Sequence, residues 1–250
     1  MPKSGQTLWT HEELLQVLSL YYLLPFGKLD ARTPEIIELA GRIRRTPGAV
    51  SFKLNNFASL DPDLQERGVK ALPNVSKLDR AVWTENLGRW PKLANAASLP
   101  AESDSAEALL HIPAGPTTNA RLVEIRRGQR FFRRVVLTAY RGKCCITKIA
   151  EPSLLRASHI LSWSECEEHR LNPSNGLCLN ALHDAAFDAG LLAIGSEGQV
   201  ELSPRLESTM EPEAFEAHFR PYRNRTIALP ERFHPNPEFL AAHRKRMKGA

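Results

Sequence analysis

The sequence predicts an α+β protein in two parts, and three observations carry that prediction. Apolar residues recur at helical spacing through roughly the first ninety positions. A stretch of Ala, Ser, Pro and acidic residues without periodicity follows over 94–120, the composition of a linker. Between Cys145 and Ile194 the pattern changes to strand, loop, strand, helix. The expected boundaries are therefore a helical domain over 1–93, a linker over 94–120 and a mixed domain over 121–250.

Each helix of the first part has its own start signal. In "TLWTHEELLQVLSLYYLL", Thr10 and Glu13 stand three apart, as a capping box requires. "TPEIIELAGRIRR" and "TPGAVSFKLNNFASL" each open with a threonine that can cap and a proline suited to the first helical position. Two short helices joined by a tight turn resemble a helix-turn-helix. The second would carry Ser51, Lys53, Asn55 and Asn56, with Arg42, Arg44 and Arg45 before it, side chains that reach phosphates and base edges. A solvated helical bundle is the plainer alternative. A further helix is expected around Lys77 to Trp90, with Trp83 and Trp90 as core anchors.

In the second part a helix is expected from about Gln129 to Tyr140, with Phe132, Val135, Val136 and Ala139 along one side. "SLLRASHILSW" reads as a strand with His159 in its second half, and Leu177 to Leu179 as a second short strand. "NALHDAAFDAG" reads as a helix closed by Gly190. His169, His234 and His243 are expected on the surface.

With 250 residues and 42% hydrophobic content the chain can bury one good core or two modest ones. No run approaches the ~18 apolar residues that span a bilayer, and "MPKSGQTLWT" has no apolar signal region, so a cytoplasmic address and no membrane partner are expected. The net charge of +5 is unevenly spread. Eight Lys/Arg lie between Arg121 and Lys143 against the single acid Glu124, which points to a polyanionic partner. The four cysteines make no CxxC pair, which argues against a zinc ribbon and against a redox motif.

Three residues in the strand–loop–strand–helix segment have the chemistry of a hydrolytic site: His159 on the first strand, Asn175 at the end of the loop and His183 within the helix. Singly, each has an ordinary reading: a satisfied core histidine, a turn asparagine before Gly176, a half-buried helix residue. Together, and in this order, they resemble the HNH endonuclease family, in the branch described as HNH restriction endonucleases. "RRGQRFFRRVVLTAYRGKCCIT", "ASHILSW", "RLNPSNGLCLNALHDAAFDAGLLAI" and "NPEFLAAHRKRM" extend the resemblance over about Arg121 to Met247.

That resemblance implies a ββα-metal nuclease domain behind a helical, DNA-binding-like domain. It implies divalent-metal-dependent hydrolysis of DNA phosphodiesters, with Mg2+ as the expected ion and Mn2+ or another transition metal as alternatives. His159 would be the general base, Asn175 the residue that pins the loop, and His183 a metal ligand. Many relatives have an aspartate ligand just before the base, where this chain has Ser158. Asn180, three before His183, and Asp184, the nearest carboxylate, are the further ligand candidates, although adjacent helical residues diverge by about 100°. Arg126, Arg130, Arg133, Arg134 and Arg170 are candidate phosphate clamps, joined in the first domain by Arg44, Arg45, Lys53 and Asn56. Double-stranded DNA is the expected partner. One site cuts one strand, so a homodimer is expected as well. The rival from another class is a non-catalytic DNA-binding regulator that keeps the scaffold; an RNA-cleaving toxin is a second enzyme alternative.

Overall fold

The structure is a computed structural model that describes residues 8–68, 75–97, 99 and 119–248. Most of the expected linker lies outside the described residues. The described chain divides into two compact units, one reaching to Phe131 and the other beginning at Phe132. Among the described residues no helix is long and apolar enough to cross a membrane.

The first unit is helical: α1 (His11–Leu23), α2 (Pro34–Arg42), α3 (Pro47–Ala58), α4 (Pro62–Glu66), α5 (Lys77–Asn86) and α6 (Trp90–Ala96). Local chemistry sets the helix starts. Thr10 and Glu13 form the reciprocal capping box, and Thr46 accepts from the Ala49 amide. Thr33 stands at the start of α2 without a capping bond, because its hydroxyl donates to the Lys28 carbonyl at 2.8 Å. Leu14, Val17, Leu18, Tyr21, Val50, Leu54 and Phe57 fill the core, and Trp83 and Trp90 close it against Tyr22.

The polar side of α3 departs from the sequence reading. Lys53 and Asn56 are buried, and both donate to the carboxylate of Asp79 on α5, at 2.8 and 2.9 Å. Burial alone would push Asp79 up, but bonds from Lys53, Asn56 and the Ser76 cap hold its carboxyl below the usual carboxylate range. Arg45 pairs with Glu13 at 2.8 Å, donates to the Leu8 carbonyl and lies over the Trp9 ring. Ser51 donates to Leu29 O, and Asn55 to Ser51 O. Helical periodicity places a residue on a face. Here the face that carries Lys53 and Asn56 is covered by α5, a contact more than twenty residues away in sequence.

Helix α7 (Asn119–Ala139) begins about ten residues earlier than expected. Gly128 lies inside it; a lone glycine costs only about 1 kcal/mol in a helix interior, and Arg, Leu and Glu around it are strong helix formers. In the second unit follow β1 (Leu155–His159), β2 (Gly176–Asn180), α8 (Ala181–Asp188), β3 (Leu192–Ile194), β4 (Val200–Leu202), α9 (Pro204–Thr209), α10 (Pro212–His218) and α11 (Pro237–Lys248). β1 and β2 are antiparallel, with Leu155 opposite Asn180 and His159 opposite Gly176; β3 and β4 form a second, separate hairpin. Phe132, Val136, Tyr140, Leu155, Ile160, Leu177, Leu179, Phe187, Phe215 and Phe219 belong to one core.

Helix α11 is packed through Phe239, Leu240 and His243. His243 is a correction to its expected surface position: it is 1% exposed, stacks on Phe187 at 3.6 Å, and donates from Nε2 to the Phe187 carbonyl at 2.9 Å. Burial pushes its imidazole down to about 4, against opposing effects of the Phe187 carbonyl and Glu165. His234 is exposed as expected, and His169 is half-buried against Phe239.

The lowered value fixes the sign of a pH effect. Between the ordinary value of 6.5 and about 4, the unfolded chain binds a proton at His243 that the folded chain does not. Folding stability should therefore fall as pH drops through that window, by on the order of 3 kcal/mol. Urea unfolding of this protein and His243→Phe at several pH values checks this, and the variant should show a shallower acid-side loss.

Candidate active site

The β1–β2 hairpin brings His159 and Asn175 together. Asn175 ends a short 3-10 turn, Pro173–Asn175, and is fully buried. Its Oδ1 accepts from the Leu161 amide at 2.8 Å, and its Nδ2 donates to the carbonyls of Leu161 and His169 at 3.1 and 3.2 Å. Its backbone carbonyl accepts from the Ile160 amide at 2.9 Å. One amide side chain thus ties the exit of β1 to the far end of the 160–175 loop.

That loop in turn orients His159. The half-buried ring has Nε2 2.9 Å from the Arg170 carbonyl oxygen. A carbonyl can only accept, so Nε2 carries the hydrogen and the proton-accepting lone pair is on Nδ1. The ring lies flat on Phe132 of α7, with centroids 4.0 Å apart and planes 8° apart, and its edge meets Trp163 at 5.7 Å. Gly176, opposite His159, makes this stacking possible: a Cβ there would stand 2.5 Å from Val136 Cγ2 and 2.9 Å from Phe132. Sequence reading missed Phe132 and Trp163 as ring neighbours, and Gly176 directly after the motif asparagine was the available signal for Phe132.

His183 is placed differently from a metal ligand. It is 2% exposed, at the third position of α8, which Asn180 caps by accepting from the His183 amide at 2.9 Å. Nε2 is 3.0 Å from the His218 carbonyl, so Nε2 is again the protonated nitrogen. Nδ1 is 3.1 Å from Asn180 Nδ2, which can only donate. Asn180 Nδ2 also reaches Thr147 Oγ1 at 3.2 Å and faces Cys144 Sγ. Burial pushes the Cys144 thiol up, but hydrogen bonding to His183 and Thr147 brings it down to about 7. The neighbouring Cys178 is pushed up by burial to about 12, and Cys145 is raised by burial too. All four cysteines are free thiols.

The candidate clamps are spread across the molecule. Arg133 donates to the carbonyls of Leu155 and Pro152, anchoring α7 to the start of β1. Arg170 donates to Trp163 O at 2.6 Å, pairs with Glu167 at 3.2 Å and lies over the Trp163 ring, so both its side chain and its carbonyl serve the loop. Arg126, Arg130 and Arg134 are half-buried on α7. Arg44 is exposed in the other unit, at a backbone φ of 54°.

A β-hairpin followed by a helix, with histidine on the first strand and a buried asparagine before the second, makes a ββα unit. Residues 144–195, about a fifth of the chain, match the family model of the HNH endonuclease. That match supports a relation to the HNH endonuclease family over this segment and suggests a nuclease-type function. No curated protein matches the chain.

HNH nucleases generally use a divalent ion, and the described side chains bring no set of ligands for one together. His183 offers no open ring nitrogen. Among the described residues no group of three or more His, Cys, Asp or Glu could hold an ion. Of the expected oxygen donors, the Ser158 hydroxyl is buried, 3% exposed and without a hydrogen-bond partner, and Asp184 lies half-buried in the first turn of α8.

The packing around Gly176 yields a direct test. Gly176→Ala should displace Phe132 and Val136, lower stability by about 1–3 kcal/mol, and disturb the His159 ring along with it. Thermal unfolding reads the first effect, and histidine ring NMR signals the second.

Proposed function

We propose that this protein is a divalent-metal-dependent DNA endonuclease of restriction type, acting on double-stranded DNA as a homodimer. The observation that carries the reading is the placement of the His159 ring, with Nε2 2.9 Å from the Arg170 carbonyl oxygen. With Nε2–H committed to the Arg170 carbonyl, the base nitrogen Nδ1 belongs to a ring held flat on Phe132. A positioned base of this kind contributes typically 10²–10⁴-fold to a proton-transfer step.

In the proposed reaction Nδ1 of His159 accepts the proton of the water that attacks phosphorus. The Arg170 carbonyl then stabilises the imidazolium through the bond it already makes. Asn175 keeps the loop from drifting, so that the carbonyl stays opposite the ring. A divalent ion, Mg2+ in preference, would supply the charge that offsets the scissile phosphate and the leaving oxygen. Arg126, Arg130 and Arg134 are the proposed phosphate contacts, with Arg44 in the first unit. Arg45, Lys53 and Asn56 are left out because their polar groups serve the helical core.

Supercoiled plasmid with Mg2+ or Mn2+ tests the proposal, with labelled RNA offered in parallel. Nicked or linear DNA should accumulate, RNA should stay intact, and His159→Ala should slow cleavage at least about 10²-fold. Binding of DNA without cleavage by either protein would favour the non-catalytic regulator, and equal cleavage by both would remove His159 as the base.

A further inference from the structure

The loop that carries Arg170 is held from two sides. Asn175 holds it from within, through the Leu161 amide and the carbonyls of Leu161 and His169. Helix α11, which begins well beyond the segment matched by the family model, meets the same loop from outside. Asn236 starts that helix: its Oδ1 accepts from the Glu238 amide at 2.8 Å and its carbonyl from the Leu240 amide at 3.1 Å. Its own amide donates at 3.0 Å to the carbonyl of Ser174, the residue before Asn175. Phe239, 7% exposed, packs its ring against that of His169 with centroids 4.8 Å apart, and the His169 carbonyl is the one that accepts from Asn175. Further along, Arg246 pairs with Glu165 of the loop. The helix is itself fixed, because His243 stacks on Phe187 of α8 and donates to its carbonyl.

These contacts are unequal. The side chains of Arg246 and Glu165 are 35% and 56% exposed, and ion pairs open to water contribute little. A buried aromatic ring contributes more. Phe239 is therefore the side chain of α11 that seats His169. We infer that α11 is part of the frame of the proposed active site and that Phe239 is a positioning residue: by seating His169 it keeps the bond from Asn175 made and the Arg170 carbonyl opposite the ring of His159. The role of His159 as the base rests on the nuclease reading; the seating of the loop does not. The basic end of the chain gains a matching task. Arg246 faces Glu165 and Arg244 faces Glu201 at 3.8 Å, so both arginines tie α11 down.

The test compares the unaltered full chain with Phe239→Ala, Phe239→Leu and a control, Leu206→Ala, which opens the same core at α9. Amide hydrogen exchange without DNA reads the loop at Leu161, whose amide Asn175 holds, against the amides of β2. Phe239→Leu should speed exchange at Leu161 at least about fivefold relative to β2, and Phe239→Ala by more, because the loop opens by itself. Leu206→Ala should lower the melting temperature while Leu161 and β2 keep their ratio. Nitrogen-15 signals of the His159 ring should show the Nε2–H form losing ground in the Phe239 variants and holding in the control. Where Phe239→Ala fails to fold, Phe239→Leu, which keeps an apolar side chain, carries the test. An unchanged Leu161 ratio or an unchanged His159 tautomer in folded Phe239→Leu would overturn the inference. Plasmid cleavage separates it from the nuclease reading: a loosened loop in a protein that cuts no DNA upholds the seating by Phe239 and overturns the nuclease reading alone.

Discussion

The second unit depends on one buried amide, the side chain of Asn175. Its three hydrogen bonds hold both the amide and carbonyl of Leu161 and the carbonyl of His169. Such bonds contribute about 1 kcal/mol each when made, but leaving their partners buried and unpaired costs more. Asn175 is therefore a constraint more than a source of stability. With it in place the loop closes in one way, Arg170 follows His169, and the Arg170 carbonyl meets the ring of His159. Gly176 adds the other half by letting α7 approach until Phe132 lies flat on the same ring.

The rest of the hairpin's surroundings continue this economy. Arg133 spends its guanidinium on the carbonyls at the start of β1, and Arg170 on Trp163 and Glu167. Arg246 pairs with Glu165 of the loop, while Asn236 donates its amide to Ser174 O, so α11 straps the same loop from outside. Several arginines that give the sequence its basic run therefore stabilise the frame first. The buried histidines His183 and His243 do the same for the two ends of α8, each by giving its Nε2 hydrogen to a backbone carbonyl.

Much of the fold was legible because it is set by local chemistry. The Thr10–Glu13 capping box, Pro34 and Pro47 at first helical positions, the strand around His159 and the helix after Asn180 all follow from residues within a few positions of each other. What was not legible depends on partners far along the chain. Lys53 and Asn56 carry the signature of a nucleic-acid contact until Asp79, more than twenty residues on, takes both. His183 has the type and spacing of a ligand, and only the His218 carbonyl, thirty-five residues later, shows that its ring is closed. In α11 the basic text hid Phe239, Leu240 and His243, whose helical spacing was the missed sign of a buried stripe.

The central claim is that the loop pinned by Asn175 fixes the tautomer of His159 and so decides which nitrogen can take a proton. Nitrogen-15 NMR of histidine-labelled protein at neutral pH tests it most directly, with His159 assigned by substitution. The account predicts a protonated Nε2 and an unprotonated Nδ1 for His159, with the preference lost in Asn175→Ala. A protonated Nδ1 in the unaltered protein, or the same tautomer with and without the Asn175 amide, would contradict it.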